Sequence, residues 1–254
     1  MKILEGKRGL VVGIANEQSI AAGCAKAFAL AGAKLAITYI NEKSKAYVEP
    51  VATEVNAEIL LPLDVQDDSQ LDAVFQRIAT TWGELDFILH SIAYCPKDDL
   101  HGRVTDCSRI GFSQAMDISC HSFIRMARKA EPLMKNGGCL LTVSYYGAEK
   151  VVEHYNIMGP VKAALESSVR YLAAELGPAG IRVNALSPGP LQTRAASGIA
   201  FFDELINDAR ARAPMRQLVT IEDVGNIATS LVSDAAKSVT GNITFVDAGY
   251  HLLA

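Results

Sequence analysis

The chain has 254 residues, with 24 Lys plus Arg against 28 Asp plus Glu and a formal net charge of −4. Apolar residues make up 50 % and charged residues 20 %, a balance that excludes a disordered chain and is ample for a sizeable core. The mild acidity gives no footprint for nucleic acid or for an anionic membrane, and no apolar stretch approaches the roughly 18 residues of a membrane span.

The first residues do not run from a charged region through a long apolar one to a small-residue cleavage site, so no signal peptide is expected. Five widely spread cysteines, Cys24, Cys95, Cys107, Cys120 and Cys139, contain no Cys-x-x-Cys pair. They read as reduced thiols of a cytoplasmic protein, without a disulfide frame or a metal site.

In chain order, short and mostly apolar runs predict strands over 8–12, 34–39, 59–63, 85–91, 138–144, 182–187 and 242–246, as expected of strands buried on both faces. Helical patterns lie between them, over 19–31, 43–55 and 68–82, with longer helices over 109–134 and 160–176. In the last, Val161, Leu165, Val169, Leu172 and Leu176 share one face before Gly177-Pro178 stops it. Thr220-Ile221-Glu222-Asp223 opens a further helix with a capping pattern. The alternation predicts a single α/β domain, a Rossmann-like doubly wound parallel sheet with helices on both faces. Two longer connections, 94–108 and 188–214, read as binding loops or lids.

The first strand ends at Val12-Gly13, and Ile14-Ala15 lead to a helix opened by Ser19-Ile20. Such a turn lets the backbone approach a pyrophosphate at a helix N-terminus. Asn16 and Ser19 stand where further glycines are expected, so a tight turn capped by Ser19 explains this segment equally well. Ligands of these sheets sit beyond the carboxyl ends of the strands. Asp64 after the third strand suits an adenine amino group or a turn, with Val65 and Ile92 as apolar cover, and Ser91-Ile92-Ala93 follow the fourth strand. After the second strand, Ile40-Asn41 offer neither the acidic residue that binds a ribose 2′-hydroxyl nor an arginine for a 2′-phosphate. NADH is favoured over NADPH.

Tyr145, Tyr146 and Tyr155 stand just before the helix that carries Lys162. A phenol titrates near 10 and works poorly at neutral pH until a nearby cation favours its anion. Lys162 would supply that charge and also hold the nicotinamide ribose.

Tyr155-Asn-Ile-Met-Gly-Pro-Val-Lys162, then Arg182-Val-Asn184 and Ser187-Pro-Gly189, resemble the short-chain dehydrogenase/reductase superfamily. Over essentially the whole chain the sequence is similar to the bacterial NADH-dependent enoyl-acyl-carrier-protein reductases. Gly13-Ile-Ala, Ser91-Ile-Ala-Tyr, Ser144-Tyr-Tyr-Gly-Ala-Glu149 and Arg194-Ala-Ala-Ser-Gly198 carry that likeness. The resemblance implies reduction of the double bond of a trans-2-enoyl-acyl-carrier-protein in type II fatty acid elongation. It assigns Tyr155 as donor to the enolate oxygen, Lys162 to cofactor ribose and charge, and Tyr145 as a shaping or assisting residue. It adds Pro190, Leu191, Thr193 and Ala195 at the nicotinamide end. Cys95, Tyr145, Tyr155, Met158, Ala195 and Phe202 are expected around the substrate, with a lid over about 191–215. Transient docking of acyl carrier protein, to which Lys97 and Arg103 would contribute, and a cytoplasmic homotetramer built on 109–134 and 160–176 follow by the same resemblance.

Tyr146-Gly-Ala-Glu-Lys150 also matches the Tyr-x-x-x-Lys signature of carbonyl reductases. Lys150 lies too early for the helix entering the Arg-Val-Asn strand, where Lys162 stands. A ketoacyl or small-carbonyl reductase is therefore the alternative, and it requires Tyr146 and Lys150 to be the working pair.

Overall fold

The computed structural model describes residues 2–191 and 202–253. Seven strands, β1 (Arg8–Val12), β2 (Lys34–Tyr39), β3 (Ile59–Pro62), β4 (Phe87–His90), β5 (Gly138–Val143), β6 (Ile181–Pro188) and β7 (Ile243–Val246), form one sheet. Their order is β3-β2-β1-β4-β5-β6-β7, and every pairing is parallel. Successive side chains point to opposite faces of a strand, which explains why the strands carry no polar side. Val11, Leu89, Leu141 and Leu186 enter one core layer, shared with helices α1 (Ile20–Leu30) and α2 (Glu42–Glu54). Leu10, Ile88, Leu140 and Ala185 enter the other, with α3 (Asp68–Thr81).

A one-turn helix α4 (Lys97–His101) lies in the connection after β4. The continuous helix expected over 109–134 is instead broken into α5 (Arg109–Met116), a π-helical turn at Asp117–His121 and α6 (Ser122–Ala130). Side-chain hydroxyls interrupt it. Ser122 Oγ donates to the Ile118 carbonyl at 2.6 Å and sits 2.8 Å from His90 Nε2, while Ser119 Oγ donates to the Tyr94 carbonyl at 3.1 Å and accepts from the Tyr94 N–H at 2.9 Å. Hydroxyl partners of this kind re-space a helical turn.

Helix α7 (Met158–Leu176) buries Val161, Leu165, Val169, Leu172 and Leu176 along one stripe, as its spacing predicts. Helices α8 (Phe202–Arg212) and α9 (Ile221–Val232) complete the described fold. Thr220 caps α9, and its side chain and that of Asp223 each accept from the other's backbone N–H. No described helix is long and apolar enough to cross a membrane.

Candidate active site

The strand order reverses between β1 and β4, the point at which parallel sheets open a crevice beyond their carboxyl ends. Gly13 ends β1 there at φ +107°, and a Cβ on it would lie 2.0 Å from the Ser91 carbonyl oxygen. Close approach of two strand ends therefore demands this glycine, in addition to any phosphate. Ser91 N–H donates to the Val12 carbonyl at 2.9 Å, which joins the two ends.

A cleft of about 880 Å³ runs across this point. Gly13, Ile14, Ala15, Ile20, Ile40, Asp64, Val65, Ser91, Ile92, Ala93, Pro190 and Leu191 line it, together with Cys95, Tyr145, Tyr155, Met158 and Lys162. Ser19 does not. Its hydroxyl donates to the Asn16 carbonyl at 2.8 Å and accepts from the Ala22 N–H, so it serves α1 as a cap. Asp64 Oδ1 accepts from the Gln66 N–H at 3.0 Å, a turn role that coexists with its place in the wall. Thr193 and Ala195 lie outside the described residues, as does the side chain of Phe202. Further along α8, Leu205 reaches the cleft.

Lys162 is almost wholly buried, and its Nζ donates to the Val143 carbonyl at 2.6 Å. Burial lowers its pKa to about 8, against the opposing pull of Cys120 and Glu166. An ammonium has three N–H donors, and Val143 takes one. One turn further along α7, Glu166 accepts from Ser144 Oγ at 2.6 Å. Burial raises the Glu166 carboxyl above its usual range, and the Ser144 hydrogen bond opposes this. Helix α7 is thus keyed to adjacent residues at the end of β5. His90 is buried between Thr142 Oγ1 at 2.9 Å and Ser122 Oγ at 2.8 Å. Desolvation, and then the Lys162 charge, push it down to about 3, so it stays neutral.

The Tyr155 ring packs edge-on to Tyr145, with centroids 4.8 Å apart. Gly147 makes room for it, since a Cβ there would come 2.7 Å from the Tyr155 ring. The residues on either side of Tyr155, His154 at φ 63° and Asn156 at φ 45°, are both left-handed, a costly backbone that the surrounding fold must hold in place. Lys162 was expected to pull the phenol's pKa down. Burial, and then the Glu166 carboxylate, push it up instead. Both effects favour the protonated phenol. Among the described residues the buried hydroxyl of Tyr145, which lines the cleft, has no hydrogen-bond partner, so this end of the cleft holds a polar group that a ligand can satisfy.

The alternative pair does not enter the cleft, although the Tyr146 ring packs edge-on against Tyr145 at 5.0 Å. Lys150 is exposed, and neither it nor Tyr146 lines the cleft. The buried polar groups around Lys162 went unnoticed in the sequence. Glu166 follows Lys162 by four residues, a spacing that puts both on one helix face, and His90 is a polar residue in an otherwise apolar strand. Among the described residues no cluster of three or more His, Cys, Asp or Glu could hold a metal ion.

A family model for enoyl-(acyl carrier protein) reductase matches residues 13–251. The chain is 50 % identical over 249 residues to enoyl-acyl-carrier-protein reductase (NADH) 1 of Rhizobium meliloti, covering 98 % of this chain and 92 % of that one. It superposes on the enoyl-acyl-carrier-protein reductase of Anaplasma phagocytophilum in complex with NAD, with a TM-score of 0.96, 47 % identity and coverage of 99 % and 96 %. It also matches the Bacillus cereus enoyl-acyl carrier protein reductase with NADP+ and indole naphthyridinone, at a TM-score of 0.97 and 44 % identity over the full length of both.

Proposed function

The chain belongs to the enoyl-(acyl carrier protein) reductase family, and from that premise we infer that it reduces the carbon–carbon double bond of a trans-2-enoyl thioester on acyl carrier protein with NADH. The residues present fit a dinucleotide. The Gly13 turn, the first N–H groups of α1, Ile40, Asp64, Val65 and Ile92 line its adenosine and pyrophosphate side, and Lys162, Pro190 and Leu191 its nicotinamide side. When bound, the cofactor supplies a hydride to the β-carbon of the enoyl group.

The protein's part is electrostatic. Negative charge develops on the thioester carbonyl oxygen as the enolate forms, and Tyr155 donates a hydrogen bond to it. A phenol kept neutral by burial keeps its proton available for that bond, and a donor fixed before the reaction costs no reorganisation. Lys162 holds the ribose with N–H donors that Val143 leaves free. Tyr145 shapes the wall against which the acyl group lies, with Cys95 and Met158. Burial raises the Cys95 thiol to about 11, with Asp99 and Cys107 adding to the shift, so it serves as lining and not as a nucleophile.

The observation that carries this reading is that Tyr155 and Lys162 share the cleft while Tyr146 and Lys150 do not. Tyr155→Phe should lower kcat with a crotonyl thioester by about 10²–10³-fold, the usual cost of one lost oxyanion donor, with NADH affinity retained. Tyr146→Phe and Lys150→Ala should leave turnover within a few-fold. The reverse pattern would return the site to a carbonyl reductase.

Within the lid expected over about 191–215, Leu205 in the cleft wall and buried Ile206 support a covering role toward the acyl chain, while 192–201 lie outside the described residues. Lys97 and Arg103 are exposed beside the substrate loop and suit an acidic carrier. Ile110 and Phe112 on α5 and Tyr171 on α7 present exposed apolar surface, which suits burial in a cytoplasmic homotetramer.

A further inference from the structure

Asn156 is joined to the opposite wall of the cleft. Its Nδ2 donates to the Leu100 carbonyl at 2.8 Å, across 56 positions of sequence. Leu100 lies in α4, in the loop that follows β4, and it lines the cleft along with Tyr155. A helix of one turn leaves its last carbonyls without intrahelical partners, and Asn156 supplies the partner for this one. On its own side, Asn156 holds the left-handed backbone that directly follows Tyr155. Its carbonyl accepts from the Gly159 N–H at 3.1 Å, while the Tyr155 carbonyl accepts from the Met158 N–H at 3.1 Å. The phenol-bearing turn is thus fixed on one side by the start of α7. On the other the Tyr155 N–H donates to the Val152 carbonyl at 3.2 Å, and the Asn156 amide reaches across to the substrate loop.

That loop is itself tied down at other points. Asp99 accepts from the Ser108 N–H at 2.5 Å and from Ser108 Oγ at 3.1 Å, and Ser119 holds both backbone groups of Tyr94. Its far end is therefore a firm anchor for the amide, not a floppy one.

We propose that Asn156 is a positioning residue for the reduction, the hydrogen bond from its side-chain amide to the Leu100 carbonyl fixing the Tyr155 hydroxyl relative to the loop that lines the acyl side of the cleft. This rests on Tyr155 being the donor to the enolate oxygen. A donor in that role must be placed to within a fraction of an ångström, and a displacement of about 1 Å costs on the order of 10²-fold. The left-handed turn does not by itself call for asparagine, because glycine adopts it without strain.

Two substitutions separate the tether from the backbone conformation. Asn156→Gly keeps the left-handed turn and removes the amide. Asn156→Asp keeps side-chain shape and also tolerates the turn, but its carboxylate cannot donate. Both variants, measured with NADH and a crotonyl thioester beside Tyr155→Phe, should lose about tenfold or more in kcat. The KM for the thioester and the Kd for NADH should stay within about twofold, because Asn156 does not line the cleft. An Asn156→Gly enzyme with wild-type kcat overturns the proposal, as does a loss confined to KM. If Tyr155→Phe itself retains wild-type turnover, the underlying assignment of the donor fails instead, and the two failures are distinguishable.

Discussion

Lys162 keeps its ammonium in a buried place that lowers its pKa to about 8. Below that value the charge and all three N–H donors are present, and above it the side chain becomes a neutral amine. NADH should therefore bind tightest at the acid side of neutrality and progressively more weakly through pH ~8, in calorimetric titrations from about pH 6 to about pH 10. A Lys162→Met variant should bind more weakly and with a flat profile. A wild-type profile that is also flat would remove Lys162 from cofactor binding. Tyr155 and Lys162 could be singled out in the sequence because six residues separate them at the entrance of the helix that leads to the Arg-Val-Asn strand, a local signal. Glu166, His90 and Asn156 could not, because Ser144, Thr142 with Ser122, and Leu100 define what they do, and those partners lie 22 to 56 positions away. For Ser19 the sequence left two readings open. A hydroxyl beside a phosphate-type turn is equally well used as a cap, and the cap is what forms.

At the scale of elements, the strands were legible nearly to the residue. A run buried on both faces must be apolar throughout, and polar turn residues mark its ends. The break between α5 and α6 was hidden because an apolar periodicity survives a π turn with little change. What interrupts the helix is hydrogen bonding of Ser119 and Ser122 to a distant loop and strand. The α9 cap, in contrast, is local and could be read directly as Thr-x-x-Asp. Thr220→Ala removes the oxygen that accepts from the Asp223 N–H at 3.2 Å. It should lower unfolding free energy by about 1 kcal/mol in urea titrations, with kcat unchanged. A variant as stable as the parent would mean that Asp223 and solvent satisfy the helix end unaided.

For the whole molecule, alternation of strands and helices dictates a parallel sheet, while the order β3-β2-β1-β4-β5-β6-β7 follows only from tertiary packing and right-handed crossovers. That order gathers the carboxyl ends of β1 to β6 around one crevice, so residues from Gly13 to Leu191 meet although the chain scatters them. The claim that this crevice reduces an alkene and not a ketone is tested most directly by following NADH oxidation with a crotonyl thioester and, separately, with an acetoacetyl thioester. The account predicts consumption of NADH with the first, yielding the saturated butyryl thioester, and none above background with the second. Rapid oxidation with the acetoacetyl thioester, and a crotonyl thioester recovered unchanged, would contradict it.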